Sequence, residues 1–151
     1  AQAERLDREG GAGVSLRFAQ FYAAGSNHTE DFSRMLRRRV NPFIGPPESY
    51  VSWIHAEDAG SAVAAALRAP GGVYNVVDDE PLTRSEAGRV AAERMGLGPP
   101  RVLPRAIQAL LPSSAKLLMR SLRESNERFR GATGWAPRFP SIAEGWPEGR
   151  P

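Results

Sequence analysis

Hydrophobic and polar positions change period several times along the chain, and each change predicts an element. Residues 14–18, Val-Ser-Leu-Arg-Phe, read as an apolar strand that runs into the small, polar loop 23–29. Residues 29–39 read as a helix, with Thr29 as N-cap and acids in the first turn. Pro42, Pro46, Pro47 and Gly45 make the next stretch a loop, and residues 50–54 alternate in bulk as a second strand. A helix of small residues follows to about Arg68. Its stripe at Ala59, Ala62, Val63, Ala66 and Leu67 is predicted to be buried against a sheet, and Ala-Pro-Gly-Gly stops it.

The segment Gly72–Asp78 is rich in β-branched and aromatic residues between turn signals, which predicts a buried strand. Thr83 and Glu86 stand in capping-box spacing at the head of a helix that Gly96 closes. Residues 105–122 place Ile107, Leu110, Leu111, Leu117 and Leu118 at helical spacing, interrupted by Pro112. Ser125 is predicted to cap a last short helix ending at Gly134, and Trp135 and Trp146 to anchor the proline-rich tail. Residues 1–9 read as a polar helix closed by Gly10 and Gly11, its beginning missing. Strands alternating with helices predict an α/β class with parallel pairing.

Composition removes several functions. The 151 residues suffice for one domain with a real core. No cysteine is present, so disulfides and thiolate metal sites are excluded. No run approaches the roughly 20 apolar residues that cross a bilayer, so no membrane partner is expected. The net charge is only +3 and Lys116 is the sole lysine, so the high pI of 9.9 reflects arginine chemistry rather than a strong field. Among the arginines only Arg34 and Arg37–Arg39 cluster, and a nucleic-acid partner is not expected.

The strand-to-helix corner at His55, Glu57 and Asp58 has two readings. Acids in a first helical turn cap and stabilise it. The same corner could form a wall of a ligand cleft, because α/β sheets bind ligands at the carboxyl ends of their strands. Adjacent residues on a helix start do not converge on one ion, so no metal site is expected.

The segment Tyr50–Leu67 resembles the "fIHVdDvAeAhv.AL" stretch of the extended short-chain dehydrogenase/reductases, the NAD-dependent epimerase/dehydratase family. In the same order, residues 13–26 look like "v.LR..nvYGPg", residues 71–86 like "g.vyNvgd.ep.t..E", and residues 127–146 like the closing "l...LGW.P..s..eGl". The resemblance implies the C-terminal part of a Rossmann-type parallel sheet plus a small mixed α/β substrate-binding lobe. Residues 1–25 would end the Rossmann half and residues 26–151 would be mainly the lobe. The family's Gly-x-x-Gly-x-x-Gly turn and its Tyr-x-x-x-Lys pair do not occur in the chain. By family spacing the lysine would stand just before Ala1, so the chain is expected to be catalytically incomplete alone, with no catalytic residue of its own.

The resemblance further implies NAD or NADP, bound mainly by a missing Rossmann half, with Phe18 and Ala19 beside the nicotinamide. It puts Gln20 where many members hold substrate, and Ser26, Asn27, His28 and Arg123 in or near the same pocket. Sugar-nucleotide members carry a phosphate-binding arginine where this chain has Val51 or Ser52, and Arg123 is the substitute to consider. The substrate is therefore a sugar nucleotide or another carbonyl or alcohol, and Trp53, Phe43 and the Pro42–Pro47 loop are a candidate apolar lid. The implied setting is cytoplasmic, and an open sheet edge would invite a homodimer. The competing readings are a non-catalytic binding or structural module descended from the family and an arginine-rich nucleic-acid-binding domain.

Overall fold

The computed structural model describes residues 13–110 and 119–148; the expected helix at 1–9 and the expected continuation through Leu111, Leu117 and Leu118 lie outside them. In chain order the elements are β1 (Val14–Phe18), β2 (Gln20–Tyr22), α1 (Asn27–Arg37), β3 (Tyr50–Val51), β4 (Trp53–His55), α2 (Ala56–Ala66), β5 (Gly72–Val76), β6 (Leu82–Thr83), α3 (Arg84–Arg94), α4 (Arg105–Ala109), α5 (Glu127–Thr133) and α6 (Ile142–Gly145). The α/β class with parallel pairing is observed.

Two strands change neighbours partway along. β1 runs parallel to β5, from Val14 opposite Gly72 to Phe18 opposite Val76. At Ala19 the chain lets go of β5: the Ala19 N–H still donates to the Val76 carbonyl (3.3 Å), but the Gln20 N–H donates to the Ser52 carbonyl (3.2 Å). β2 then continues parallel to β4. The second strand does the same around Ser52, since β3 pairs antiparallel with β6 while β4 pairs with β2. Two partner switches side by side open the sheet at the carboxyl end of β1. That is where an α/β sheet admits a ligand.

Two apolar clusters flank the opening. One joins Tyr22, Leu36, Phe43, Val51, Trp53, Ile142 and Trp146 to Ala87, Ala91, Ala92 and Met95 of α3 and its C-terminal cap. The other packs Ile54, Tyr74, Val76, Phe129 and Trp135 against Ala59, Ala62 and Ala65 of α2, with Val14, Leu16, Phe18 and Ala19 half-buried at its margin. The predicted anchors Trp135 and Trp146 are both buried.

Several local expectations change. Ser26, not Thr29, is the N-cap of α1; its Oγ accepts the Thr29 N–H, and Thr29 is buried as an acceptor for the Ala23 N–H. A cap must have extended backbone, and Ser26 does (ψ 137°). The Thr83–Glu86 capping box is present, and its bonds hold the exposed Glu86 carboxyl below its ordinary pKa. Asn126 occupies the cap position of α5, although Ser125 Oγ does accept the Glu127 N–H (3.1 Å). Gly134 ends that helix in the left-handed region, as expected.

On α2 the buried stripe is Ala59, Ala62 and Ala65, while Val63 and Leu67 are 51% and 86% exposed. Alanines at period three fit close to the sheet, and the bulkier residues fall on the outer face. Phe43 and Trp53 form no lid. Their rings pack 4.8 Å apart in the first cluster, where burying large aromatics stabilises the molecule most.

Candidate functional site

A cleft of about 400 Å³ occupies the partner switch. Phe18 and Ala19 form its floor at the end of β1, with Gln20 beside them at the start of β2. His28 comes from the first turn of α1, which the Ser26 cap holds next to β2. Its ring packs on Phe32, with centroids 4.1 Å apart. Gln20 Nε2 and His28 Nε2 are 2.8 Å apart. Four of the residues expected to hold ligand therefore share one cavity.

The opposite wall is built by Ser52. Its hydroxyl donates to the Leu122 carbonyl (3.1 Å) and accepts the Glu124 N–H (3.1 Å), so the gap between β3 and β4 pins the segment 120–124 over the cleft. Arg84, the first residue of α3, is 4% exposed and also reaches this cavity. Its Nε donates to Ser49 Oγ (2.9 Å) and one terminal nitrogen to the Arg120 carbonyl (3.0 Å). Burial lowers its pKa, although guanidinium remains charged at any ordinary pH. Leu122 and Val51 supply apolar wall, and Glu124 the one carboxylate.

The remaining expected residues lie elsewhere. Ser26 is occupied in capping, with its hydroxyl 2.8 Å from Thr29 Oγ1, and Asn27 opens α1; neither lines the cleft. Arg123 lies in an adjoining cavity of about 390 Å³ with Asp79, Asn126 and Arg130, and Glu124 forms the shared wall. Its guanidinium sits 5.0 Å over the Tyr50 ring. Asn126 braces that second cavity through the Val77 carbonyl and Asp79 Oδ1, both at 2.8 Å, and Arg130 pairs with Asp79 at 2.9 Å.

Sequence reasoning did not find Arg84, Arg120, Leu122 or Glu124. Arg84 alone had a local signal, the capping box that puts it at the helix start. The other three are brought in by a loop that returns from far along the chain. Position 52 was singled out for the arginine it lacks, and its serine contributes as the pin.

The corner at His55 is structural. His55 Nδ1 accepts the Glu57 N–H (3.3 Å) and its ring lies 4.2 Å from Phe139. Burial lowers its pKa, against the pull of Glu57 and Asp58. Asp58 accepts the backbone N–H groups of Arg138 (2.8 Å) and Phe139 (3.0 Å), tying the tail to α2. Among the described residues no group of three or more histidines and carboxylates could hold a metal ion. Asp78, just past β5, is 2% exposed and neither of its carboxylate oxygens meets a hydrogen-bond partner. Burial first, then Asp79, Glu80 and Glu144, push its pKa up to about 8, with the Trp53 backbone pulling the other way. Burial and the nearby Asp78, Asp58 and Glu144 likewise push the Tyr22 phenol up.

No family model matches the chain. A 3-diazoavenalumate denitrifying reductase from a Streptomyces species is 32% identical over 139 residues, which cover 89% of this chain and 46% of that protein. Among solved structures, the UDP-glucose 4-epimerase of Thermus thermophilus in complex with NAD is 26% identical, with a TM-score of 0.67 over 95% of this chain and 47% of the other. The human epimerase family protein SDR39U1, crystallised with NADPH, superposes with a TM-score of 0.76 at 23% identity, over 88% of this chain and 46% of the other. The chain spans about half the length of the relatives it matches.

Proposed function

The chain belongs to the extended short-chain dehydrogenase/reductase family, the NAD-dependent epimerases and dehydratases, and from that premise we propose that it is the C-terminal, substrate-binding portion of such an NAD(P)-dependent enzyme. The observation that carries this reading is the cleft at Ala19, where the chain leaves the β1–β5 pairing for the β2–β4 pairing, because Phe18, Ala19, Gln20 and His28 all line it. In this reading residues 1–25 end the Rossmann half and residues 26–151 are mainly the lobe, with β5 returning to pair with β1.

The residues present fit a nicotinamide. Phe18 and Ala19 offer a small, half-buried apolar floor at a strand end, suited to a flat amphipathic ring. When bound, NAD or NADP supplies the hydride acceptor or donor. The chain's own residues then bind and orient. Gln20 offers an amide that can donate or accept toward a hydroxyl or carbonyl. His28 closes the side of the cleft, Arg84 places fixed positive charge in the wall, and Leu122 and Val51 exclude water. Ser26, Asn27 and Arg123 serve from the edge or the neighbouring cavity, for a substrate long enough to extend there. The substrate is a sugar nucleotide or another carbonyl or alcohol. Proton transfer and the dinucleotide cradle come from the Rossmann half as partner. A cytoplasmic setting and a homodimer complete the proposal; among the described residues no helix is long and apolar enough to cross a membrane.

The test compares NADH and NADPH oxidation by residues 1–151 alone with that by the same residues fused behind the N-terminal half of the Thermus thermophilus epimerase, whose structure holds NAD. We expect no turnover from the chain alone and cofactor binding by the fusion. Turnover by 1–151 contradicts the reading. A folded fusion in which the cleft contacts no cofactor favours the non-catalytic module.

A further inference from the structure

Gln20 and His28 meet nitrogen to nitrogen, with Gln20 Nε2 2.8 Å from His28 Nε2. An amide nitrogen donates and does not accept, so the imidazole Nε2 is the acceptor and carries no proton; the ring proton is on Nδ1. The Gln20 backbone N–H is bonded to the Ser52 carbonyl at 3.2 Å, and the His28 ring rests on Phe32. With its NH2 turned to the ring, the Gln20 amide has its carbonyl oxygen on the side away from His28. Both residues line the cleft.

We propose that His28 is a positioning residue that sets the polarity Gln20 shows to the ligand, so that the site selects a ligand hydroxyl over a carbonyl while the imidazole is neutral. This rests on the reading of the cleft as the substrate subsite. The hydroxyl donates to Gln20 Oε1; a carbonyl in the same place would set oxygen against oxygen. Arg84 of α3, Arg120 and Glu124 face the pair across the cleft, and Glu30 and Asp31 lie on α1 itself. The chain's other histidine, His55, lies in β4 outside the cleft.

The experiment uses the nitrogen-labelled 151-residue chain and two probes of one shape, cyclohexanol and cyclohexanone. At alkaline pH we expect a nitrogen–nitrogen scalar coupling between Gln20 Nε2 and His28 Nε2. Cyclohexanol should bind about five-fold more tightly than cyclohexanone, the worth of one neutral hydrogen bond, and shift the Gln20 side-chain amide. His28→Phe keeps a ring on Phe32 and leaves His55 and Asp78 in place; it should abolish the preference. Gln20→Glu, with oxygens only, should favour the alcohol throughout. Equal binding of the two probes, or a preference that persists in His28→Phe, overturns the inference while leaving the cleft a binding site. If neither probe shifts Gln20, the inference falls and the substrate reading of the cleft falls with it.

Discussion

The two apolar clusters are built on different terms. The first is aromatic and closed. Trp53, Trp146, Tyr22 and Phe43 interlock at ring separations of 4.8–6.2 Å, and Trp53 and Trp146 are wholly buried. The second is alanine-lined and open. Val14, Leu16 and Phe18 stay half-buried along β1, which among the described residues pairs on one side only, and Val63, Leu67 and Val73 are exposed. Large rings saturate their own surroundings, whereas small side chains bring backbones close and leave further apolar surface uncovered. The closed cluster buries its largest side chains completely, and the open one leaves Val63, Leu67 and Val73 exposed beside it.

Breaking the closed cluster should have the largest effect. Trp146→Ala should cost about 3–5 kcal/mol in denaturant unfolding, because a wholly buried indole leaves a cavity the neighbouring rings cannot fill. A loss below about 1 kcal/mol would show that the cluster is not close-packed.

Asp58 links the two regions, since it stands on α2 and holds the tail that leads into α6. Asp58→Ala leaves two backbone N–H groups without their carboxylate and should cost about 2–3 kcal/mol, with faster tryptic cleavage after Arg138. Unchanged protection of the Arg138 and Phe139 amides in hydrogen exchange would contradict the link.

Asp78 sharpens the contrast through pH. Its folded pKa, about 8, lies above the unfolded value of 3.8, so the folded state binds the extra proton between them. Stability from this group is complete below the lower value and is lost as pH rises, by at most about 1.4 kcal/mol per pH unit, with no further loss above the upper value. Asp78→Asn should flatten that slope in urea unfolding between pH 5 and pH 8 (a working window of about three units). An equal slope in wild type and variant refutes the assignment.

The smallest effect should come from the outer face of α2. Leu67→Ser is expected to change stability by less than about 0.5 kcal/mol, because Leu67 is 86% exposed, while reducing self-association in sedimentation. A destabilisation of several kcal/mol would mean that this face is already covered.

Local chemistry was legible wherever a local rule decides the outcome. An apolar run marked β1, Thr83 and Glu86 marked the start of α3, and Gly134 marked the end of α5, because each depends on residues a few positions apart. Thr29 was misplaced as a cap because Ser26, three residues earlier, offers the same hydroxyl; only the extended backbone at Ser26 separates them. Val63 and Leu67 satisfied the helical period, but which side of a nearly all-apolar helix meets the sheet is decided by fit against the strands. The family order of motifs implied Phe18 and Ala19 beside a nicotinamide and Gln20 at the substrate, and the cleft gathers these three with His28.

Unaided, the residue order determined the kinds of elements, the Thr83–Glu86 capping box and the family pattern, since these follow from backbone geometry and side-chain chemistry over short spans. The tertiary structure alone decided where the chain changes partners between β1 and β2 and between β3 and β4, that Ser52 pins Leu122 and Glu124 over the opening, and that Arg84 joins the same wall. Those contacts cross some 35 to 70 positions, and only packing of the assembled chain selects among the many pairings such distances allow.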